Sequence, residues 1–338
     1  SFFEIHPDED LDLMRDGQTL SAFTARALAS IGTWLDREDL AALVVQGDTN
    51  TTFAAALAGY HRRIPVAHVE AGLRTQQMYE PWPEEGNRRM TDHLSTWHFA
   101  PTAAAAANLH REGLGPGSVR VTGNTVVDAV LHVRRLGEEL GIRPPIPDVD
   151  GRRIITATMH RRENFGEPLV RICRALRSIA DDHADVQVVV PVHPNPNVRG
   201  VVFRCLGAHE RISLIEPPGY LEFVALLAAS HLVLTDSGGV QEEAPVLGKP
   251  TLVLRRVTER PEGVEADAAV IVGDSEATIV TNVERLLTDE AGYARLARPR
   301  FPYGDGHASD RIVDTLGESL GAADTSALRP SVPSRVAS

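Results

Sequence analysis

Three acidic residues stand out in the first half of the chain: Asp48 and Glu70, each just after a short apolar run, and Glu84 in Pro81-Trp82-Pro83-Glu84-Glu85. Carboxylates collected at neighbouring strand ends form an acid/base set able to break a C–H bond. Each also has a plainer reading. Asp48 alone reads as a structural carboxylate near a helix start. Glu70 reads as half of a buried ion pair with Arg74, and Glu84 with Glu85 as acids at a helix N-terminus.

The second half offers a different chemistry. Met159-His160-Arg161-Arg162-Glu163 follows an apolar run with one histidine and two arginines, a set suited to an anion such as a diphosphate. The plainer reading is a solvated loop with local Arg–Glu pairs. Pro191-Val192-His193-Pro194-Asn195-Pro196 adds a second histidine, where Asn195 and Pro196 also suit a helix start. Further on, an apolar run at 232–235 leads into Asp236-Ser237-Gly238-Gly239-Val240-Gln241-Glu242-Glu243. This spacing predicts a strand, a glycine turn and a helix from Val240, whose N-terminus would face a phosphate while Glu243 bonds a sugar diol. An ordinary turn with Ser237 capping the helix fits the same residues. No His, Cys or Asp spacing calls for a metal.

These residues need a scaffold that brings strand ends together. Helical spacing at 20–35 precedes a strand at 40–45; further strands are expected at 65–69, 96–100 and 119–121, with helices between them and one at 125–140. After a proline-rich linker at 141–151 the alternation restarts, with strands at 153–157, 186–191, 212–215, 232–235, 250–254 and 269–272. Helices follow at 276–288 and 309–320. Continuous apolar strands alternating with helices imply parallel sheets buried on both faces. The expected fold is α/β, two Rossmann-like doubly wound parallel-sheet domains facing a central cleft, over 1–142 and 143–320, with a disordered tail at 321–338.

Composition narrows the function classes. The chain has 338 residues, 43% of them hydrophobic, and a net charge of -12, which argues against a general nucleic-acid binder. Its two cysteines, Cys173 and Cys205, fit a reducing compartment rather than a disulfide framework. No apolar run reaches spanning length and no signal peptide opens the chain, so a cytoplasmic protein without a membrane partner is expected.

Taken in order, the motifs carry a specific likeness. Gln46-Gly47-Asp48-Thr49, His68-Val69-Glu70-Ala71-Gly72-Leu73-Arg74, Pro83-Glu84-Glu85 with Asn87-Arg88, His160-Arg161-Arg162-Glu163, Pro191-Val192-His193, Asp236-Ser237-Gly238-Gly239, Thr258-Glu259-Arg260-Pro261-Glu262 and Pro302-Tyr303-Gly304-Asp305-Gly306 occur in one series. The series closely resembles the non-hydrolysing bacterial UDP-N-acetylglucosamine 2-epimerases, from about Pro7 to Ile312. The resemblance implies a GT-B-like fold and reversible interconversion of UDP-GlcNAc and UDP-ManNAc without a cofactor, through elimination of UDP to 2-acetamidoglucal and readdition, serving cell-surface polysaccharide or related sugar pathways. It implies Asp48, Glu70 and Glu84 as acid/base residues and His160 as the histidine assisting departure of UDP. Ser237, Gly238 and Gly239 would hold phosphate, Glu243 the ribose, Arg260 and Arg161 the diphosphate or sugar, and Phe223 would lie near uracil. Arg161 and His193 would serve an allosteric UDP-GlcNAc, and the family suggests a homodimer.

The family's opening strand and its Gly-Thr-Arg-Pro-Glu turn have no counterpart here, so roughly one and a half βα units of the first sheet are expected to be missing. Three other readings compete with the epimerase. One is a GT-B glycosyltransferase using a UDP-sugar, another the hydrolysing branch that releases ManNAc, and the last a truncated, inactive UDP-sugar-binding protein.

Overall fold

The structure is a computed structural model and describes residues 3, 5–146, 149 and 151–321. The expected disordered tail therefore lies almost wholly outside the described residues, as does Pro147 of the linker. Packing divides the described chain into two units, one running to Asn124 and resuming at His307, the other spanning Thr125–Gly306.

The first unit is a four-stranded parallel sheet: β1 (Leu43–Gln46), β2 (Val66–Val69), β3 (Trp97–Ala100) and β4 (Val119–Val121), in the spatial order β1-β2-β3-β4. Its helices are α1 (Leu20–Leu35), α2 (Asn50–His61), α3 (Glu84–Leu94) and α4 (Ala103–Arg111). β2 is buried along its whole length, as a parallel strand covered on both faces should be. Thr49 caps α2 by accepting the Thr52 N–H at 3.2 Å. In register, Val45 stands beside His68, and His68 beside His98. The Gly47-Asp48 and Glu70 segments therefore leave the sheet side by side.

The second unit carries six parallel strands: β5 (Arg153–Thr158), β6 (Val186–Pro191), β7 (Ile212–Ile215), β8 (Leu232–Thr235), β9 (Thr251–Val253) and β10 (Ala269–Ile271). Around them lie α5 (Thr125–Leu140), α6 (Glu167–Asp182), α7 (Pro196–Leu206), α8 (Tyr220–Ala229), α9 (Gly238–Val246), α10 (Pro261–Glu265), α11 (Glu276–Thr288) and α12 (Glu290–Leu296). The order β10-β9-β8-β5-β6-β7 shows the chain building outward from β5 to β7, then returning to the other side of β5. This is a doubly wound sheet, and its order reverses between β5 and β8, where such sheets bind ligands. In the first unit the described strands progress in one direction only.

The division between units falls elsewhere than at the proline-rich segment. Val127, Val130 and Val133 of α5 are buried against Leu221, Val224 and Leu227 of α8, so α5 packs with the second sheet. Ile146 and Val149 of the expected linker rest against Ile154, Val189 and Leu226 of that same unit. The last helix, α13 (Ala308–Ser319), returns to the first sheet, where Ile312 and Leu316 pack on Ala67, Val69 and Phe99. Each fully buried Val, Leu or Ile contributes about 1.5–3 kcal/mol, so these faces decide where each helix belongs.

Candidate active site

At the reversal of the second sheet, Thr158 and Thr235 end β5 and β8 side by side, their hydroxyls 2.6 Å apart. The next residue after β8, Asp236, is fully buried. Its carboxylate accepts the backbone N–H of His160 at 3.0 Å, that of Arg161 at 3.0 Å and the Asn164 side-chain amide at 2.9 Å. It also faces Nδ1 of His160 at 3.1 Å. Burial alone would push this carboxyl up; the hydrogen bonds and charge of His160, with Asn164 and the Arg161 N–H, outweigh it and hold the pKa below the ordinary value. With Nδ1 engaged by a carboxylate, Nε2 is the ring atom available to a ligand. His193 stacks on His160 with centroids 5.6 Å apart. Partial burial, and next the neighbouring charge of His160, lower the His193 pKa.

Both histidines line a cavity of about 210 Å³ together with Thr158, Met159, Pro191, Pro217, Phe223, Ser237 and Val240. The structure thus gathers His160, His193, Phe223 and Ser237 in one place. Gly238, Gly239, Glu243, Arg260 and Arg161 do not line this cavity. Gly238, Gly239 and Glu243 lie on α9, Arg161 in the loop after β5, and Arg260 just before α10.

The glycine turn differs from expectation in two details. α9 begins at Gly238, two residues before Val240, because both glycines already take helical backbone. Ser237 precedes it without capping it through its side chain, so the plain capping reading does not describe this turn. A Cβ built on Gly238 would stand 2.8 Å from the Arg260 guanidinium, so only glycine lets that arginine lie against the start of α9. Arg260 is held by Glu242 and, at 2.7 Å, by Glu259, whose carboxyl lies far below its usual range despite burial because Arg260, Arg255 and Arg161 surround it. Tyr303 fixes the same loop, donating to the Arg260 carbonyl at 3.1 Å and accepting the Gly263 N–H at 2.9 Å. Glu243 accepts the Tyr220 hydroxyl at 2.7 Å, and burial raises its carboxyl above the ordinary value despite that bond. Arg161 points toward Glu259 at 3.8 Å.

In the first unit, Asp48 and Glu70 sit at adjacent strand ends. Asp48 receives Arg88 at 2.5 Å on its carboxylate and Asn87 at 3.0 Å on its carbonyl. Glu70 has a left-handed backbone, φ 68°, and accepts Asn124 at 3.4 Å. Its other oxygen lies 3.5 Å from a Cβ built on Gly47, which places the two acidic turns in contact. The expected alternative of a Glu70–Arg74 pair is not what forms. Arg74 instead binds Asp92 at 2.7 Å and Glu112 at 2.6 Å.

The neighbouring acids on α3 separate cleanly. Glu85 is fully buried and its carboxylate is engaged by Thr75 N–H at 3.0 Å, Arg89 at 3.0 Å and Arg88 at 3.4 Å. Glu84 presents a buried Oε2 with no partner among the described residues. The sequence series contains Asn87, Arg88 and Asp236 with no role attached, and nothing in it points to Asn124 or Tyr220. Asp236, placed directly after an apolar strand, is the one available signal.

A family model described as UDP-N-acetylglucosamine 2-epimerase matches residues 1–317. The chain belongs to the UDP-N-acetylglucosamine 2-epimerase family. Within that family it is 50% identical to the Yersinia pestis epimerase over 321 residues, covering 93% of this chain and 85% of the relative. It is 48% identical to the Escherichia coli (strain K12) epimerase over the same shares. Among solved structures, the Neisseria meningitidis UDP-GlcNAc 2-epimerase bound to UDP-GlcNAc superposes with a TM-score of 0.90 at 42% identity, covering 94% of this chain and 86% of that one. The Methanocaldococcus jannaschii epimerase in complex with UDP-GlcNAc and UDP gives 0.80 at 35% identity, covering 93% and 85%. Two α/β units, each on a parallel sheet, are the GT-B-like architecture of these epimerases. Among the described residues no helix is long and apolar enough to cross a membrane.

Proposed function

We propose that this member of the family interconverts UDP-GlcNAc and UDP-ManNAc by eliminating UDP and adding it back. The observation that carries the reading is the contrast between Glu84 and Glu85. One has a carboxylate oxygen unpartnered, and the other is fully committed to the fold. A carboxylate oxygen with no donor on it has a lone pair open to accept a proton, whereas one engaged by donors on both oxygens does not. In the forward direction a carboxylate of the Asp48, Glu70 and Glu84 set takes the C2 proton. The C1–O bond breaks, its electron pair leaves with UDP, and a C1=C2 double bond remains in 2-acetamidoglucal. Readdition of UDP at C1 with a proton delivered to the opposite face of C2 gives the epimer.

His160 assists the departing diphosphate, donating from Nε2 while Asp236 steadies the ring. Ser237 with the glycines Gly238 and Gly239 meets phosphate at the start of α9, where helix N–H groups and dipole favour an anion. Arg260, held in place by two carboxylates, adds positive charge there, Glu243 takes the ribose hydroxyls, and Phe223 in the cavity wall lies near uracil. Relatives solved with UDP-GlcNAc and UDP support that ligand class. A second UDP-GlcNAc acting through Arg161 and His193, and a homodimer, extend the same reading. A glycosyltransferase would need no base for C2–H, so the unpartnered Glu84 oxygen favours epimerisation.

The test is product analysis from both directions. Starting from either UDP-GlcNAc or UDP-ManNAc, with no acceptor present, chromatography should show the same final mixture of the two. Free ManNAc with UDP, or sugar consumption only on adding an acceptor, would replace this reading with the hydrolysing or the transferase one.

A further inference from the structure

A buried ion network lies beneath the Asp48 turn and takes no part in the chemistry above. His68, the third residue of β2, is fully buried. Its Nδ1 stands 2.6 Å from Asp92 Oδ1, and its Nε2 stands 2.8 Å from the Gly47 carbonyl oxygen. A carboxylate and a peptide carbonyl are both acceptors only, so each ring nitrogen must carry a proton for both bonds to exist. The ring is therefore an imidazolium. Burial opposes that charge, yet Asp92 and the Gly47 carbonyl together leave the His68 pKa above its ordinary value.

The charge is balanced locally. Asp92 offers its other oxygen to Arg74 at 2.7 Å, and Arg74 completes the set with Glu112 at 2.6 Å and 2.8 Å. The Asp92 backbone carbonyl in turn accepts Nε2 of His98 at 2.7 Å. Two cations face two anions. Apolar residues of similar volume would commonly fill such a site at equal or greater stability, so a purely packing role leaves the network unexplained. What the imidazolium does that an aliphatic side chain does not is grip the Gly47 carbonyl with a charge-assisted bond.

Gly47 is the residue before Asp48 and takes a left-handed backbone, φ 75°. Its N–H donates to Val69 O at 3.0 Å, so the turn is fixed by β2 through both of its peptide groups. Asn87 and Arg88 then hold Asp48 itself. We infer that His68, steadied by Asp92 and Arg74, is a positioning residue that sets the Gly47–Asp48 turn, and so the Asp48 carboxylate, for proton transfer. The inference rests on Asp48 being one of the acid/base residues.

Two isosteric replacements separate positioning from packing. His68→Gln places an amide N–H near the old Nε2 and gives up Asp92, whereas His68→Asn reaches toward Asp92 and falls short of Gly47. The full chain of each is assayed for epimerisation and for unfolding in urea. His68→Asn should lose about 10–100-fold in kcat with KM changed less than about threefold, as a misplaced catalytic group does. His68→Gln should recover most of that loss. Equal losses in both variants, or losses that follow unfolding free energy alone, would overturn the inference. The 13C resonance of the Gly47 carbonyl reads the bond without any turnover: it should move upfield in His68→Asn and stay near the wild-type position in His68→Gln. An unmoved resonance in His68→Asn likewise overturns it. Absence of epimerisation by the wild type would count against the proposed function instead, with the resonance still deciding the bond.

Discussion

Asp236 holds His160 by backbone and side chain at once: its carboxylate accepts the His160 N–H at 3.0 Å and lies 3.1 Å from Nδ1. A residue following β8 thus orients a histidine following β5, across the reversal of strand order. Asp236→Asn keeps the shape and removes the charge that favours the bound ring. We predict a loss of about 1.5–3 kcal/mol in urea unfolding, the usual worth of a hydrogen bond to a charged group. Activity should fall on the order of 100-fold through the misheld histidine. Unchanged kcat in a folded variant would detach Asp236 from His160 function.

Glu84 and Glu85 are adjacent in sequence and differ in their partners: Glu85 is held by Thr75, Arg88 and Arg89, whereas Glu84 Oε2 has none among the described residues. Glu84→Gln should leave stability within about 0.5 kcal/mol of wild type, since it breaks no ion pair that the fold uses. It should nevertheless abolish epimerisation. Glu85→Gln strands Arg88 and Arg89 partly unpaired and should cost about 3–5 kcal/mol, as loss of a buried partner does. Unfolding curves and activity measured on both variants check this, and the reverse pattern would exchange the assignments.

Gly238 touches the Arg260 guanidinium so closely that a methyl group has no room. Because Glu242 and Glu259 pin that arginine, Gly238→Ala should push it from the start of α9 rather than be absorbed. Calorimetric titration with UDP should show affinity weakened about tenfold, near 1.4 kcal/mol. Wild-type affinity would mean the diphosphate does not use this arginine.

Much of the fold is legible in the sequence because the strands are apolar runs with glycine or acidic ends. The expected bounds of α1, α5, β6, β7, β8 and α11 match the structure residue for residue. Partnership was harder to read. Arg74 has Glu70 four residues away, yet it pairs with Glu112, which is 38 residues distant. Neither spacing nor residue type reveals that α4 returns beside the start of that loop. The hold of Asp236 on His160 depends on β8 lying next to β5, which no local pattern encodes. The packing of α13 on the first sheet is likewise a tertiary fact, carried by Ile312 and Leu316.

Two histidines should shape the stability profile in opposite directions. His68 has a folded pKa above its unfolded value of 6.5, so the stability it contributes is present below pH 6.5 and is lost as pH rises through the folded value. His231, partly buried and stacked on Tyr293, is lowered to about 4, chiefly by burial and then by Arg153. There the unfolded state binds the proton first, so stability falls as pH drops from 6.5 toward 4. Unfolding free energies of His231→Gln should show a flatter acid limb. The gap between wild type and His68→Gln should narrow on the alkaline side. Parallel profiles across the whole range would contradict both assignments.

The central claim is that a carboxylate of the first unit removes the proton from C2. Incubating the protein with UDP-GlcNAc in deuterated water and following C2 by NMR tests it most directly. The account predicts deuterium at C2 of both sugars as UDP-ManNAc accumulates, and no exchange with Glu84→Gln although UDP still binds. UDP-ManNAc that forms with its C2 proton retained, or no UDP-ManNAc at all, would contradict it.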